Sequence, residues 1–112
     1  MVKMDIRPAG VRVRVTFNSE VVADSRDAMR VEEADYPPVY YVPRKDVKME
    51  RLIRTSHVTH CPHKGDATYY SLCNGRTARN AVWSYEQPLP QAAAIKEHVA
   101  FYPDKVDAID CG

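Results

Sequence analysis

The stretch Val11-Arg12-Val13-Arg14-Val15-Thr16-Phe17 alternates without a break. Val11, Val13, Val15 and Phe17 fall on one face, and Arg12, Arg14 and Thr16 on the other. A period of two is that of a half-buried strand in an antiparallel sheet. Asn18-Ser19 follows as a hairpin turn, which predicts a returning strand over Glu20 to Asp24. Working outward, Ala28 to Glu33, Val39 to Val42, Ala67 to Cys73, Arg76 to Tyr85, Val99 to Tyr102 and Val106 to Ile109 read as short strands between turn residues. Asn74-Gly75 is the strongest hairpin signal. Pro43 to Asp46 and Pro103-Asp104 read as turns. Val47 to Arg54 reads as a strand, and Thr55 to Gly65 as a loop holding three of the four histidines. Pro90 suits the first turn of a short helix through about His98. The expectation is a mainly β protein with one short helix near the C-terminus.

The chain has 112 residues, which predicts one domain over residues 1–112. Sixteen Lys and Arg against fifteen Asp and Glu leave a formal charge of +1. That balance argues against a nucleic-acid surface or an anionic-membrane surface. No apolar run approaches the roughly 18 residues of a spanning helix, and Met1 to Gly10 lacks the apolar core of a signal peptide. Cys61, Cys73 and Cys111 are an odd set, read as reduced thiols in a cytoplasmic protein. No Gly-x-x-x-x-Gly-Lys is present, and four Gly leave little room for a phosphate cradle. Seven Tyr stand beside two Phe and one Trp. A buried Tyr hydroxyl needs a partner, so this excess points either to surface rings or to a cavity with polar tips.

Four segments carry a resemblance: Pro38-Val-Tyr-Tyr-Val-Pro-Arg-Lys-Asp-Val47, Thr59-His-Cys-Pro-His-Lys-Gly-Asp-Ala-Thr-Tyr69, Ala81-Val-Trp-Ser-Tyr85 with Pro88, and Val99-Ala-Phe-Tyr102. In this order and spacing the chain, over about residues 10 to 110, resembles the bacterial and fungal domain-of-unknown-function family 427. Cys-Pro-x-Lys-Gly-x-Ala is its most specific part. Position 70, often Trp in the family, is Tyr here, which implies a smaller stacking surface. The resemblance implies a β-tent (Mss4-like) fold, with two antiparallel sheets meeting at an angle and open at one end. Similar folds occur in methionine sulfoxide reductase B and in the drug-binding domain of cereblon. Many such relatives hold a structural zinc on two Cys-x-x-Cys knuckles, and this sequence has none. The family carries no settled activity.

Three constellations could carry chemistry. Cys61 lies between His60 and Pro62, and a turn could bring Lys64 close enough to favour its thiolate. His57, His60 or His63 could then act as base, making Cys61 and Lys64 candidate catalytic residues; the alternative is a buried thiol in a structured turn. His57, His60, Cys61 and His63 offer zinc donors, but the missing second pair predicts no bound metal or other cofactor. The third is aromatic. Trp83 and Tyr85, sharing a strand face with Ala81, join Tyr102 and one ring from each doublet, Tyr40-Tyr41 and Tyr69-Tyr70. These could line a pocket between two sheets, or form a plain core with hydroxyls at its rim. Asp46 could pair with Lys64 across the mouth or cap its own turn. The first reading is therefore a small-molecule site formed by Tyr41, Asp46, Cys61, Lys64, Tyr69, Trp83, Tyr85 and Tyr102. Its rivals are a small enzyme using Cys61 and a protein-protein adaptor working through a sheet edge. A monomer or weak homodimer is expected.

Overall fold

The computed structural model describes residues 3–112. Ten strands run in chain order: β1 Met4–Pro8, β2 Val13–Phe17, β3 Glu20–Ser25, β4 Met29–Glu33, β5 Val39–Tyr41, β6 Leu52–Cys61, β7 Gly65–Cys73, β8 Thr77–Ser84, β9 Val99–Phe101 and β10 Ala108–Cys111. Among the described residues they form three antiparallel sheets, with orders β1-β4-β5, β10-β2-β3 and β6-β7-β8-β9, and no barrel closes. Two sheets were expected. Single bridges, Val42 to Val99 and Ala23 to Val47, are the links between ladders that a period of two does not reveal. No helix among the described residues is long and apolar enough to cross a membrane.

Alternation along β7 explains the layering. Ala67 and Tyr69 point to one face of the four-stranded sheet, Tyr70 and Leu72 to the other. The first face packs on Val31 of β4 and Tyr41 of β5. The second packs on Val13, Val15 and Phe17 of β2 and Val22 of β3. One central sheet thus serves two cores. Tyr69 and Tyr70 are each only 6% exposed, so both rings of that doublet are inside, one per core. Tyr41 is likewise buried in the first core, while Tyr40 packs half-buried on the second. Of the seven Tyr, Tyr36 is the exposed one.

Local geometry follows residue chemistry. Asn18 and Ser19 both have positive φ, at 48° and 66°, the type I′ geometry that closes β2 onto β3. The β7–β8 turn holds residues 74–76, with Gly75 at φ +96°. The two turns are tied together, because Asn18 Nδ2 donates to the Asn74 carbonyl and Asn74 Nδ2 to the Phe17 carbonyl. Bulges decide the faces elsewhere. Two extra residues of β8 lie between its pairs Ala78–Leu72 and Val82–Tyr70, with Asn80 at φ +51°. Ala81 therefore packs in the second core, while Trp83 and Tyr85 join the first.

Three local expectations are corrected. Thr55 to Gly65 is not a loop: β6 continues to Cys61, where β7 begins four residues later. Its residues are mostly exposed because β6 is an edge strand, so an apolar pattern is missing. Val47 to Arg54 breaks into a 3-10 turn at Met49–Arg51 before β6. The helix expected after Pro90 is a 3-10 stretch, Pro90–Ile95, interrupted by non-helical Ala92. Strands β9 and β10 are not partners. The 3-10 turn Pro103–Lys105 carries the chain from the central sheet to the outer one. The strand Met4–Pro8 gave no alternating signal, since it is half-buried and then exposed along its length.

Candidate functional site

The hairpin β6–β7 places the Cys-Pro-x-Lys-Gly segment. Cys61 pairs with Gly65 across the turn, and the Lys64 N–H donates to the Cys61 carbonyl at 3.3 Å. Gly65 has φ +109°, and a Cβ there would meet the Leu89 nitrogen at 3.4 Å. Glycine lets residues 87–89 lie on the hairpin, where the Leu89 N–H donates to the Lys64 carbonyl at 2.9 Å. The Lys64 side chain then runs inward and is 6% exposed. Its ammonium binds the Glu33 carboxylate and lies 5.8 Å from the Tyr85 ring centroid. Lys64 thus answers a carboxylate on β4 rather than the Cys61 sulfur. Glu33 has no local sequence signal, because its partner is 31 residues away.

Six of the eight expected site residues come together. Tyr41, Cys61, Tyr69, Trp83, Tyr85 and Tyr102 all belong to the first core. Tyr41 meets Trp83 edge-on at 6.1 Å, Trp83 meets Tyr102 at 4.5 Å, and Tyr69 stacks with Tyr102 at 6.5 Å. Hydroxyls are shared: Tyr69 with Thr59 at 3.0 Å and with Tyr102 at 3.3 Å. The Trp83 indole N–H donates to the Tyr41 hydroxyl at 3.2 Å. Burial raises the Tyr41 and Tyr85 phenols above the ordinary tyrosine value. It also pushes Tyr102 up to about 12, helped by the Tyr69 hydrogen bond. All remain neutral hydroxyls in the physiological range. Asp46 lies elsewhere, accepting from Ser25 Oγ at 2.6 Å beside Lys45.

The histidines diverge. His60 faces Asp66 at 2.7 Å, while His57 lies edge-on to the Tyr69 ring at 4.5 Å. His60 and Cys61 are adjacent on a strand and so point to opposite faces. The β6 edge carries the exposed Ile53 and Val58. Register pairs Ile53 with Ser71 and Val58 with Thr68, on opposite faces, and a bulge separates them. This edge offers no continuous apolar strip.

Open space lies on the other side of Trp83. A cavity of about 300 Å³ opens where β5, β9, β2 and β10 converge, walled by Val13, Val15, Val39, Val42, Phe101 and Ile109. Trp83, Tyr40 and Cys111 complete its chemistry. Of the eight expected residues, Trp83 alone lines it. Alternation in Val39-Tyr-Tyr-Val42 could have flagged Tyr40 and Val42 as a pair facing away from Tyr41. Cys111, read only as a reduced thiol, carried no signal.

A polar cluster was also missed. Arg44, set by the 3-10 turn after Pro43, and Arg54 of β6 both bind Glu86, at 2.8 and 2.9 Å. The Tyr70 hydroxyl donates to the same carboxylate at 2.7 Å. Tyr70 therefore serves an ion cluster and not the aromatic stack, so its smaller ring costs that stack nothing. Burial alone would raise Glu86, but hydrogen bonds from Arg54, Tyr70 and Arg44 outweigh it and hold the carboxyl at about 2. Glu20, bonded by Asn74, Arg51 and Lys48, is held at about 2 as well. A carboxylate depressed by folding contributes stability above its unfolded value near 4.5, and that contribution is lost as pH falls toward 2. Urea midpoints should therefore drop across this window. Glu86→Gln should start lower at neutral pH and show a shallower acid slope; parallel slopes would deny Glu86 this role.

The profile described as domain of unknown function (DUF427) matches residues 5–112. No curated protein matches the chain.

Proposed function

We propose, from the premise that the chain belongs to the DUF427 family and that the family's description assigns no activity, that the protein binds a small molecule in the cavity beside Trp83. The observation that carries this reading is the cavity itself. It holds about 300 Å³, at the lower end of ligand pockets, and its walls are aliphatic and aromatic with few polar groups. The expected aromatic cluster supports the site from behind. Its rings pack on one another, and Tyr41 holds the Trp83 indole that forms one wall. The enzyme alternative would require Lys64 to leave Glu33 before it could steady charge on Cys61.

Xenon and toluene test the reading, since apolar cavities admit both kinds of guest. Crystals under xenon pressure should show the gas between Val15, Val42 and Ile109. Toluene should change the emission of Trp83, the chain's single tryptophan, in a saturable way. Ile109→Phe, on half-buried β10, should fill the space and abolish both signals. Absent xenon together with unmoved emission would end the proposal.

A further inference from the structure

The polar groups of the cavity restrict what it would accept. Three of its side chains carry a polar atom: Tyr40, Trp83 and Cys111. The Trp83 N–H is already given to the Tyr41 hydroxyl. Tyr40 and Cys111 remain, neighbours in which the hydroxyl favours the thiolate form of the sulfur. Among the described residues, no Lys, Arg, His, Asp or Glu lines the space. An ion entering would shed its water and meet no opposite charge, a cost the apolar walls cannot offset. A neutral acceptor costs little once it finds a donor.

One donor is available. Burial pushes the Cys111 thiol up, so near neutral pH its sulfur is uncharged and only a weak acceptor for the Tyr40 O–H. A guest's carbonyl oxygen, the stronger acceptor, takes the Tyr40 O–H in its place. Size sets the rest: benzene fits an apolar cavity of about 150 Å³, so about 300 Å³ takes roughly a dozen non-hydrogen atoms. Resting on the binding reading above, we propose that this cavity takes an uncharged, compact molecule, bicyclic or branched, with one hydrogen-bond acceptor met by the Tyr40 hydroxyl.

Three probes with one skeleton test this: decalone, a neutral ketone; decalin, the same rings without oxygen; and decalin carboxylate. Each is titrated into the full chain while Trp83 emission is read. Decalone should bind saturably, and Tyr40→Phe should weaken it about tenfold, the effect of one lost hydrogen bond. Decalin should bind the unaltered protein and Tyr40→Phe alike. The carboxylate should bind about a hundredfold more weakly than the ketone. That last comparison uses the unaltered protein, so it holds even if Tyr40→Phe folds poorly. Equal binding of carboxylate and ketone, or decalone unmoved by Tyr40→Phe, would overturn the ligand class while decalin binding left the cavity reading standing. Silence from all three probes would remove both.

Discussion

Tyr41→Ala should lower the stability of the protein by about 4 kcal/mol, the range for deleting a large buried ring. Tyr41 is 2% exposed and sits between Trp83 and Tyr85, with ring centroids 6.1 and 6.2 Å away. Removing it opens the first core and strips Trp83 of its hydrogen-bond acceptor. A small domain has only about 5–15 kcal/mol to lose, so the variant should be marginal at body temperature. Tyr41→Phe separates the two contributions. It keeps the ring and removes the acceptor, which should cost about 1 kcal/mol. Urea unfolding followed by circular dichroism reads both. A loss below about 1 kcal/mol for Tyr41→Ala would mean that the cluster is not a packed core.

The second large effect should come from Lys64. Lys64→Ala removes one member of a buried ion pair and leaves Glu33 without its cation, at a cost of about 3 kcal/mol. The Tyr85 face loses its ammonium as well. Replacing both charges together, as Lys64→Met with Glu33→Leu, should recover most of the loss, because no charge is then left unpaired. The Lys64→Met and Glu33→Leu single variants complete the cycle and give the coupling directly. Additive effects would show that Lys64 and Glu33 act independently. The outcome also bears on Cys61: a strong pair keeps the Lys64 ammonium on β4 and away from the thiol.

These two residues mark different degrees of legibility. One ring of the Tyr40-Tyr41 doublet was readable as inward, because alternation within a strand is written locally. The same rule found β2, while turn residues bounded β3, β4, β7 and β8. It failed at β6, an edge strand exposed along most of its length. It failed also at Pro90–Ile95, where a good helix start leads into 3-10 turns broken at Ala92. Ala81 was misplaced because the bulge at Asn80 shifts the pleat, and nothing in the local pattern announces extra residues in a ladder.

By itself the sequence determined the β class, most strand positions and both hairpin turns; it offered eight residues for one site, and six of them meet in the first core. The class, the strands and the turns depend on side-chain period, turn chemistry or a recognised order of segments. Only the tertiary structure decided that the central sheet is covered on both faces, so that Tyr69 and Tyr70 are both buried. It alone joined Lys64 to Glu33, gathered Arg44 and Arg54 on Glu86, and set the cavity on the far side of Trp83. The reason is range. Period and turn preference act over a few residues, whereas a partner for a buried charge, or a gap between layers, depends on which distant strands are brought side by side.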